Sequence, residues 1–302
     1  MAIRVSIVVD ELLKQKIIHQ YSPYERDNKG EYIVFFAKRS DLVVTIYASK
    51  KQSNYKVLFI GDNALEEARQ FDPEAQINVS KKQAIKAHWL SLEDQIGSDE
   101  VGTGDFFGPI SVCAAYVKES QIDYLKKLGV DDSKKLSDDD IRRIGKVLIK
   151  TIPYSHLSLD NEKYNELVKD NMNMNEMKSK LHNQVLLNLK KKFPSVKNFF
   201  IDEFTPKEKY FEYLSKTKEV VKDLNFKTKG ESYFPSVAVG SIIARYSFIQ
   251  KMDQLSEKYG MKFPHGSSLK VDHFAEEFVA KFGIEEMYKV AKTNFINFKK
   301  LL

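Results

Sequence analysis

Two acids stand side by side at Asp99-Glu100, just ahead of a glycine-dense run, Gly102-Thr103-Gly104-Asp105-Phe106-Phe107-Gly108-Pro109. Adjacent residues of a strand face opposite ways, so these carboxylates meet at one point only where the strand bends. Gly102, Gly104 and Gly108 supply such bending, and they leave backbone groups bare enough to approach a sugar–phosphate chain. The plainer reading is a turn with surface acids, and the density of the run makes it the less attractive one. A second acidic point, Ile201-Asp202-Glu203, ends the apolar run from Asn198. That puts Asp202 at the carboxyl edge of a sheet, where α/β proteins place their sites, while Glu203 reads equally as a solvent-facing neighbour. A third acid, Glu231, lies in Lys227-Thr228-Lys229-Gly230-Glu231-Ser232 ahead of a long helix. Alone it reads as a helix N-terminal charge. Together these are carboxylates on three segments with no Cys or His cluster beside them. Oxygen-only ligation calls for Mg²⁺ or Mn²⁺ and not zinc. Two such ions ~4 Å apart are the usual device for in-line phosphodiester chemistry.

The elements that must position these acids are legible as periodicity. From residue 96 onward a long α/β pattern runs to the end. Ile110–Val117 reads as a buried strand with Cys113 as a small apolar residue, Tyr154–Leu159 as an alternating one and Asn198–Phe204 as an apolar one. Ser137-Asp138-Asp139-Asp140 forms a capping box before a helix carrying Ile141, Ile144, Val147 and Leu148. Further helices are expected over Asn173–Phe193, Ser236–Tyr259, Asp272–Phe282 and Glu285–Ala291. The expectation is a sheet covered by helices on both faces. Residues 1–71 form a separate small unit in the order β-α-β-β-β-α. Its runs are Ile3–Val9, Asp10–Gln20, Tyr32–Lys38, Leu42–Ala48, Tyr55–Ile60 and Asn63–Phe71, with a turn at Asn28-Lys29-Gly30. Tyr47, Tyr55 and Lys56 offer rings and charge to an open sheet face, as on a nucleic-acid platform, although ordinary strand aromatics are the favoured reading. Residues 72–94 read as a linker with a helix around Lys81–Leu90, and residues 95–302 as the second domain.

Composition narrows the classes. The 302 residues are 42% hydrophobic and 30% charged, which is ordinary for a globular chain and against wholesale disorder. No apolar run nears the ~18 residues of a membrane span, and no secretory leader is read at the start. One cysteine allows neither an internal disulfide nor a Cys-based zinc cluster, and a reducing cytoplasm suits it. A net charge of +6 permits a polyanionic partner without demonstrating one.

Four ordered stretches resemble the type 2 ribonucleases H. They are Asp99–Pro109, Asp131-Asp132-Ser133-Lys134-Lys135-Leu136-Ser137, Ile201-Asp202, and Lys229-Gly230-Glu231-Ser232 followed by Ser241-Ile242-Ile243-Ala244-Arg245. The N-terminal module and the Gly-Thr-Gly loop point to the ribonuclease HIII branch, because ribonuclease HII carries Gly-Arg-Gly there. The resemblance implies an RNase H-like mixed sheet flanked by helices, plus a small N-terminal α+β domain similar to a TATA-binding-protein half. It implies cleavage of the RNA strand of RNA–DNA hybrids to 3′-hydroxyl and 5′-phosphate ends. It makes Asp99, Glu100, Asp202 and Glu231 the metal-binding carboxylates, the last a Glu where ribonuclease HII has Asp. It gives Gly102, Thr103 and Gly104 contact with the 2′-hydroxyl, the group that distinguishes RNA from DNA. Ser133, Lys134 and Lys135 match a phosphate-contacting segment, with a solvated lysine pair as the plainer reading.

Ribonuclease HII also places Lys-Gly-Tyr after its long helix, and that Tyr reads a single embedded ribonucleotide. The matching stretch here is His265-Gly266-Ser267-Ser268, so poor cutting at a lone ribonucleotide is expected. The alternatives are a junction cutter of the ribonuclease HII kind and a non-catalytic hybrid-binding scaffold. Clustered carboxylates repel a polyanion unless metal neutralises them, which opposes the scaffold. The expected cofactor is Mg²⁺ with Mn²⁺ as substitute, the expected partner is the hybrid and no membrane, and the expected state is a cytoplasmic monomer. Asp105 reads as a residue holding its turn, Asp272 as a helix N-terminal charge, Glu276 and Glu277 as surface acids, and all six histidines as structural or surface.

Overall fold

The computed structural model describes residues 3–27, 30, 32–48, 54–75, 89–90, 92–130 and 133–302. It divides into two units, Met1–Ile85 and Lys86–Leu302.

In the first unit, β1 (Ile3–Val9), β2 (Ile33–Lys38), β3 (Leu42–Tyr47) and β4 (Tyr55–Gly61) make an antiparallel sheet in the order β1-β4-β3-β2. Helices α1 (Glu11–Tyr21) and α2 (Ala64–Arg69) complete the β-α-β-β-β-α order. Asp10 caps α1 by accepting the Leu13 N–H at 2.9 Å. Alternation decides which face is covered: Val5, Ile7, Val9, Val44, Ile46, Val57 and Phe59 bury themselves in one core with Ile17 and Tyr21 of α1. Tyr55 packs against that core with the Lys14 ammonium 4.2 Å over its ring, so it lies on the covered face. Tyr47 pairs with Lys56 on the opposite face, so only two of the three expected platform residues share it. The expected linker is narrower than 72–94. Ala75 is buried in this first core, and Trp89 is buried in the second unit. The expected turn at Asn28-Lys29 and most of the Lys81–Leu90 helix lie outside the described residues.

The second unit is built on β5 (Gln95–Val101), β6 (Ile110–Val117), β7 (Tyr154–Leu159), β8 (Asn198–Asp202) and β9 (Asn225–Lys227). Their order is β7-β6-β5-β8-β9, antiparallel from β5 through β6 to β7 and parallel from β5 through β8 to β9. Every residue of β6 is buried, as a strand covered on both faces requires. Its even-numbered residues, Val112, Ala114 and Tyr116, meet α6 (Met174–Lys192). Its odd-numbered ones, Cys113, Ala115 and Val117, meet α8 (Pro235–Tyr259), with α3 (Ile122–Leu128) and α4 (Asp138–Thr151) in the same layer. Helix α8 lies unusually close to the sheet. A Cβ on Gly240 would stand 2.8 Å from the Cys113 carbonyl oxygen, and one on Gly97 would stand 2.4 Å from Ser236 Oγ.

Helices α5 (Asn161–Lys169) and α7 (Lys207–Tyr213) complete the outer layer. Helices α9 (Leu269–Phe282), α10 (Ile284–Val290) and α11 (Ile296–Lys299) enclose an aromatic core that takes in Phe106 and Phe107 from the glycine-dense run. Among the described residues no helix is long and apolar enough to cross a membrane. Helices α3, α5, α7 and α11 were not foreseen from periodicity.

Candidate active site

The sheet topology brings the acids together. Strands β5 and β8 are parallel neighbours, with Ser98 in register with Ile201, so Asp99 and Asp202 leave the same sheet edge. Asp202 Oδ1 accepts the Gly230 N–H at 2.8 Å, which ties the turn holding Glu231 to the end of β8. Lys229 takes a left-handed φ of 59° to make that turn. Carboxylate oxygens of Asp99, Asp202 and Glu231 then lie within 4.8 Å of one another.

Glu100 is not in that group. Its Oε1 accepts from Lys178 Nζ at 2.9 Å, and its Oε2 lies 2.9 Å from His182 Nε2. Lys178 and His182 are one turn apart on α6, so both reach the same carboxylate. His182 Nδ1 is 2.9 Å from Ser98 Oγ, and Phe204 stacks on the imidazole at 5.1 Å. The sequence did contain a signal for this pair, a Lys and a His four residues apart on one long helix, and treating every histidine as structural or surface missed it.

Burial dominates the electrostatics. It pushes Asp99 well above the usual carboxylate range, and the charges of Glu100 and Asp202 push the same way. It pushes Asp202 up to about 6, against the lowering effect of the Gly230 N–H. Burial would also raise Glu100, but His182 and Lys178 outweigh it and hold that carboxyl at about 2. Three carboxylates this close with too little compensating charge could hold a divalent cation. Glu231 is 1% exposed, and its Oε2 is buried without a hydrogen-bond partner. An oxygen left bare beside two other carboxylates fits a divalent ion, so the residues present suit the metal that the sequence implies.

The remaining sequence candidates surround this cluster. Gly102 is buried, with φ +94° and a Cβ position 2.2 Å from the Pro109 carbonyl oxygen, so it must be glycine to make the bend. Thr103 is half-buried, and Gly104 is exposed with open space where a Cβ would sit. Lys134 Nζ reaches Glu231 Oε1 at 3.2 Å, while Lys135 is exposed. Ser133 differs from its expected role: it is 2% exposed, and its hydroxyl lies 2.7 Å from that of Ser241 on α8. Ser241 in turn hydrogen-bonds Asp99. Arg245 holds the same segment through the carbonyls of Ser133 and Leu136 and the carboxylate of Asp138. Asp131 and Asp132 lie outside the described residues.

Asp105 does hold its turn, accepting the Gly266 N–H at 2.7 Å. Asp272 does lie in the first turn of α9, which starts three residues earlier than expected, and its carboxylate also accepts from Asn297 and Lys300 at 2.6 Å each. Glu276 and Glu277 are exposed, as expected.

Residues 96–298 match the family described as Ribonuclease HII, and residues 4–84 match a domain of unknown function. A protein of Listeria monocytogenes named Ribonuclease HIII is 40% identical over 98% of this chain and 97% of its own. A Bacillus cereus protein of the same name is 40% identical over 99% of this chain and 96% of its own. Among solved structures, Bst-RNase HIII in complex with Mn²⁺ superposes with a TM-score of 0.68 at 36% identity, covering 98% of this chain and 97% of that one.

Proposed function

The chain belongs to the ribonuclease HIII family, and from that premise we propose that Asp99, Glu100, Asp202 and Glu231 are the carboxylates with which it hydrolyses the RNA strand of RNA–DNA hybrids. It is a ribonuclease H, a metal-dependent endonuclease of the hydrolase class. The observation that carries the assignment is the convergence of Asp99, Asp202 and Glu231, with Glu231 Oε2 buried and unsatisfied. Mg²⁺ is the assigned ion, with Mn²⁺ as substitute.

Asp99, Asp202 and Glu231 hold the metal, with Glu100 beside them. Divalent cations held there would supply activation of the attacking water and charge neutralisation at the leaving oxygen, and the expected products carry 3′-hydroxyl and 5′-phosphate ends. The protein's own residues do the rest. Asp99 is kept in orientation by accepting the Glu100 N–H at 2.7 Å and by the Ser241 hydroxyl. Lys134 and Lys135 meet the phosphates near the cluster, with Ser133 as the buried foot of that segment. The exposed tip at Thr103–Gly104, with Gly102 as its bend, approaches the ribose 2′-hydroxyl, which separates RNA from DNA. The N-terminal unit adds binding to the hybrid. We assign a monomer in the cytoplasm, a setting that suits a lone buried thiol at Cys113.

The test is cleavage of three matched duplexes with Mg²⁺: a continuous RNA–DNA hybrid, a DNA duplex with one ribonucleotide, and all-DNA. Wild type is expected to cut only the hybrid well, and Asp99→Asn to be inert. Equal cutting of the single-ribonucleotide duplex overturns the substrate assignment, and hybrid binding without cleavage under either metal overturns the catalytic one.

A further inference from the structure

Among the described residues Lys292 is the one lysine that is 0% exposed, and the site described above does not use it. Its Nζ donates to the carbonyl oxygens of Asp105 at 2.7 Å and Gly108 at 2.6 Å. The rings of Tyr164 and Phe295 face the ammonium at 6.0 and 5.9 Å. Among the described residues no carboxylate lies within ion-pair distance of it. Burial pushes this ammonium down to about 7, opposed by the charge of Asp105. A buried cation is costly, and an apolar side chain would fill the same space at less cost. Its donors therefore have a use here, and that use is on the backbone that follows the Gly102–Gly104 bend.

The neighbouring bonds converge on the same four residues. Phe106 O accepts the Lys292 N–H at 3.0 Å, and the Gly108 N–H donates to Val290 O at 3.0 Å. Asn161 Nδ2 adds a second donor to Gly108 O at 3.0 Å, and the Phe106 N–H donates to Gly266 O at 2.9 Å. Asp105–Gly108 is thus held from three remote segments, while Thr103 and Gly104 carry the exposed end of the same loop.

We propose that Lys292 is a positioning residue for RNA recognition: by holding the carbonyls of Asp105 and Gly108 it fixes Gly102–Gly104 where the loop meets the ribose. The proposal rests on the function assigned above, with that loop as the reader of the 2′-hydroxyl. It separates two things that share β5. The carboxylates are set by the sheet and the Glu231 turn, whereas the loop is set from the C-terminal helices. Losing Lys292 should therefore weaken substrate engagement and leave metal binding alone.

The experiment compares full-length wild type, Lys292→Met and Asn161→Ala on a continuous hybrid and on one carrying a single 2′-deoxynucleotide at the cleavage position. Mn²⁺ affinity is measured separately by calorimetry. Lys292→Met is expected to raise KM about tenfold and to narrow the preference for the all-RNA strand, with Mn²⁺ affinity unchanged. Asn161→Ala, which leaves Lys292 on Gly108 O, is expected to raise KM about threefold. It carries the test if Lys292→Met does not fold. A purely structural role would lower the active fraction, and so kcat, at unchanged KM and unchanged strand preference. That result, in whichever variant folds, overturns the proposal. Wild type that does not cut the hybrid overturns the functional reading and this inference with it, whereas active wild type with unmoved KM in the variants overturns the inference alone.

Discussion

Lys178 Nζ lies 2.9 Å from Glu100 Oε1, and the two side chains are only 8% and 9% exposed. Glu100 is therefore the one acid of the proposed set paired with a buried lysine, while Glu231 meets only the exposed Lys134 and otherwise faces Asp99 and Asp202. Breaking a buried pair by removing one member costs about 3–5 kcal/mol, because the other charge is left stranded. Lys178→Met should destabilise the protein by that order in urea unfolding with metal chelated. Glu100→Gln in the same chain should restore most of the loss. A double variant no more stable than Lys178→Met would show that the pair is not what holds this region.

The raised pKa of Asp202 sets a pH dependence. An acid whose folded value is about 6 binds its proton more tightly folded than unfolded. Its stabilisation of the metal-free protein is therefore complete below the unfolded value of about 4 and is lost as pH rises through about 6. Asp99, also raised by burial, contributes to stability with the same sign. Metal must displace these protons, so affinity runs the other way and should tighten roughly tenfold per pH unit up to about 6 for each proton released. Calorimetric Mn²⁺ titrations at pH 5, 6 and 7 check this, and a flat affinity across that range would contradict it.

Two glycines of one loop should behave differently. Gly102→Ala places a Cβ 2.2 Å from a backbone oxygen at φ +94°, a strain of about 1–3 kcal/mol visible as a lower melting temperature. Gly104→Ala meets nothing within 4 Å, so melting should not change. If substrate closes on that space, kcat/KM on the hybrid should still fall about 10- to 100-fold. Full activity in Gly104→Ala would remove this residue from the substrate contacts.

The first unit has a core of its own, so removing residues 1–85 should leave Lys86–Leu302 folded. Loss of a second binding module is expected to raise KM about tenfold or more with kcat preserved. A fall in kcat alone would mean that the N-terminal unit acts on the reacting groups.

Much of this was legible because the signals are local. The order β-α-β-β-β-α follows from alternation and spacing, and β6 announces itself as a fully apolar run. The helices α3, α5, α7 and α11, of nine residues or fewer, give only a weak period over so few turns, although α2 and α10, equally short, are legible. The acids were legible by type, but their grouping was not. Only the parallel pairing of β5 with β8 sets Asp99 beside Asp202, and only three-dimensional packing turns Glu100 towards Lys178 and His182. Ser133 shows the same limit. Its motif marks a substrate segment, yet its hydroxyl is spent on Ser241, 108 positions away.

The grip of Lys292 on Asp105 also dictates an order of events during synthesis. The two residues are 187 positions apart, so at 5–20 residues per second roughly 10–40 s separate their appearance. Throughout that interval the nascent chain is tethered to a ribosome and surrounded by RNA. Its strand of acids already exists, but the loop beside them lacks its anchor. That loop can take its final anchor only after Lys292 has been made, long after Asp105.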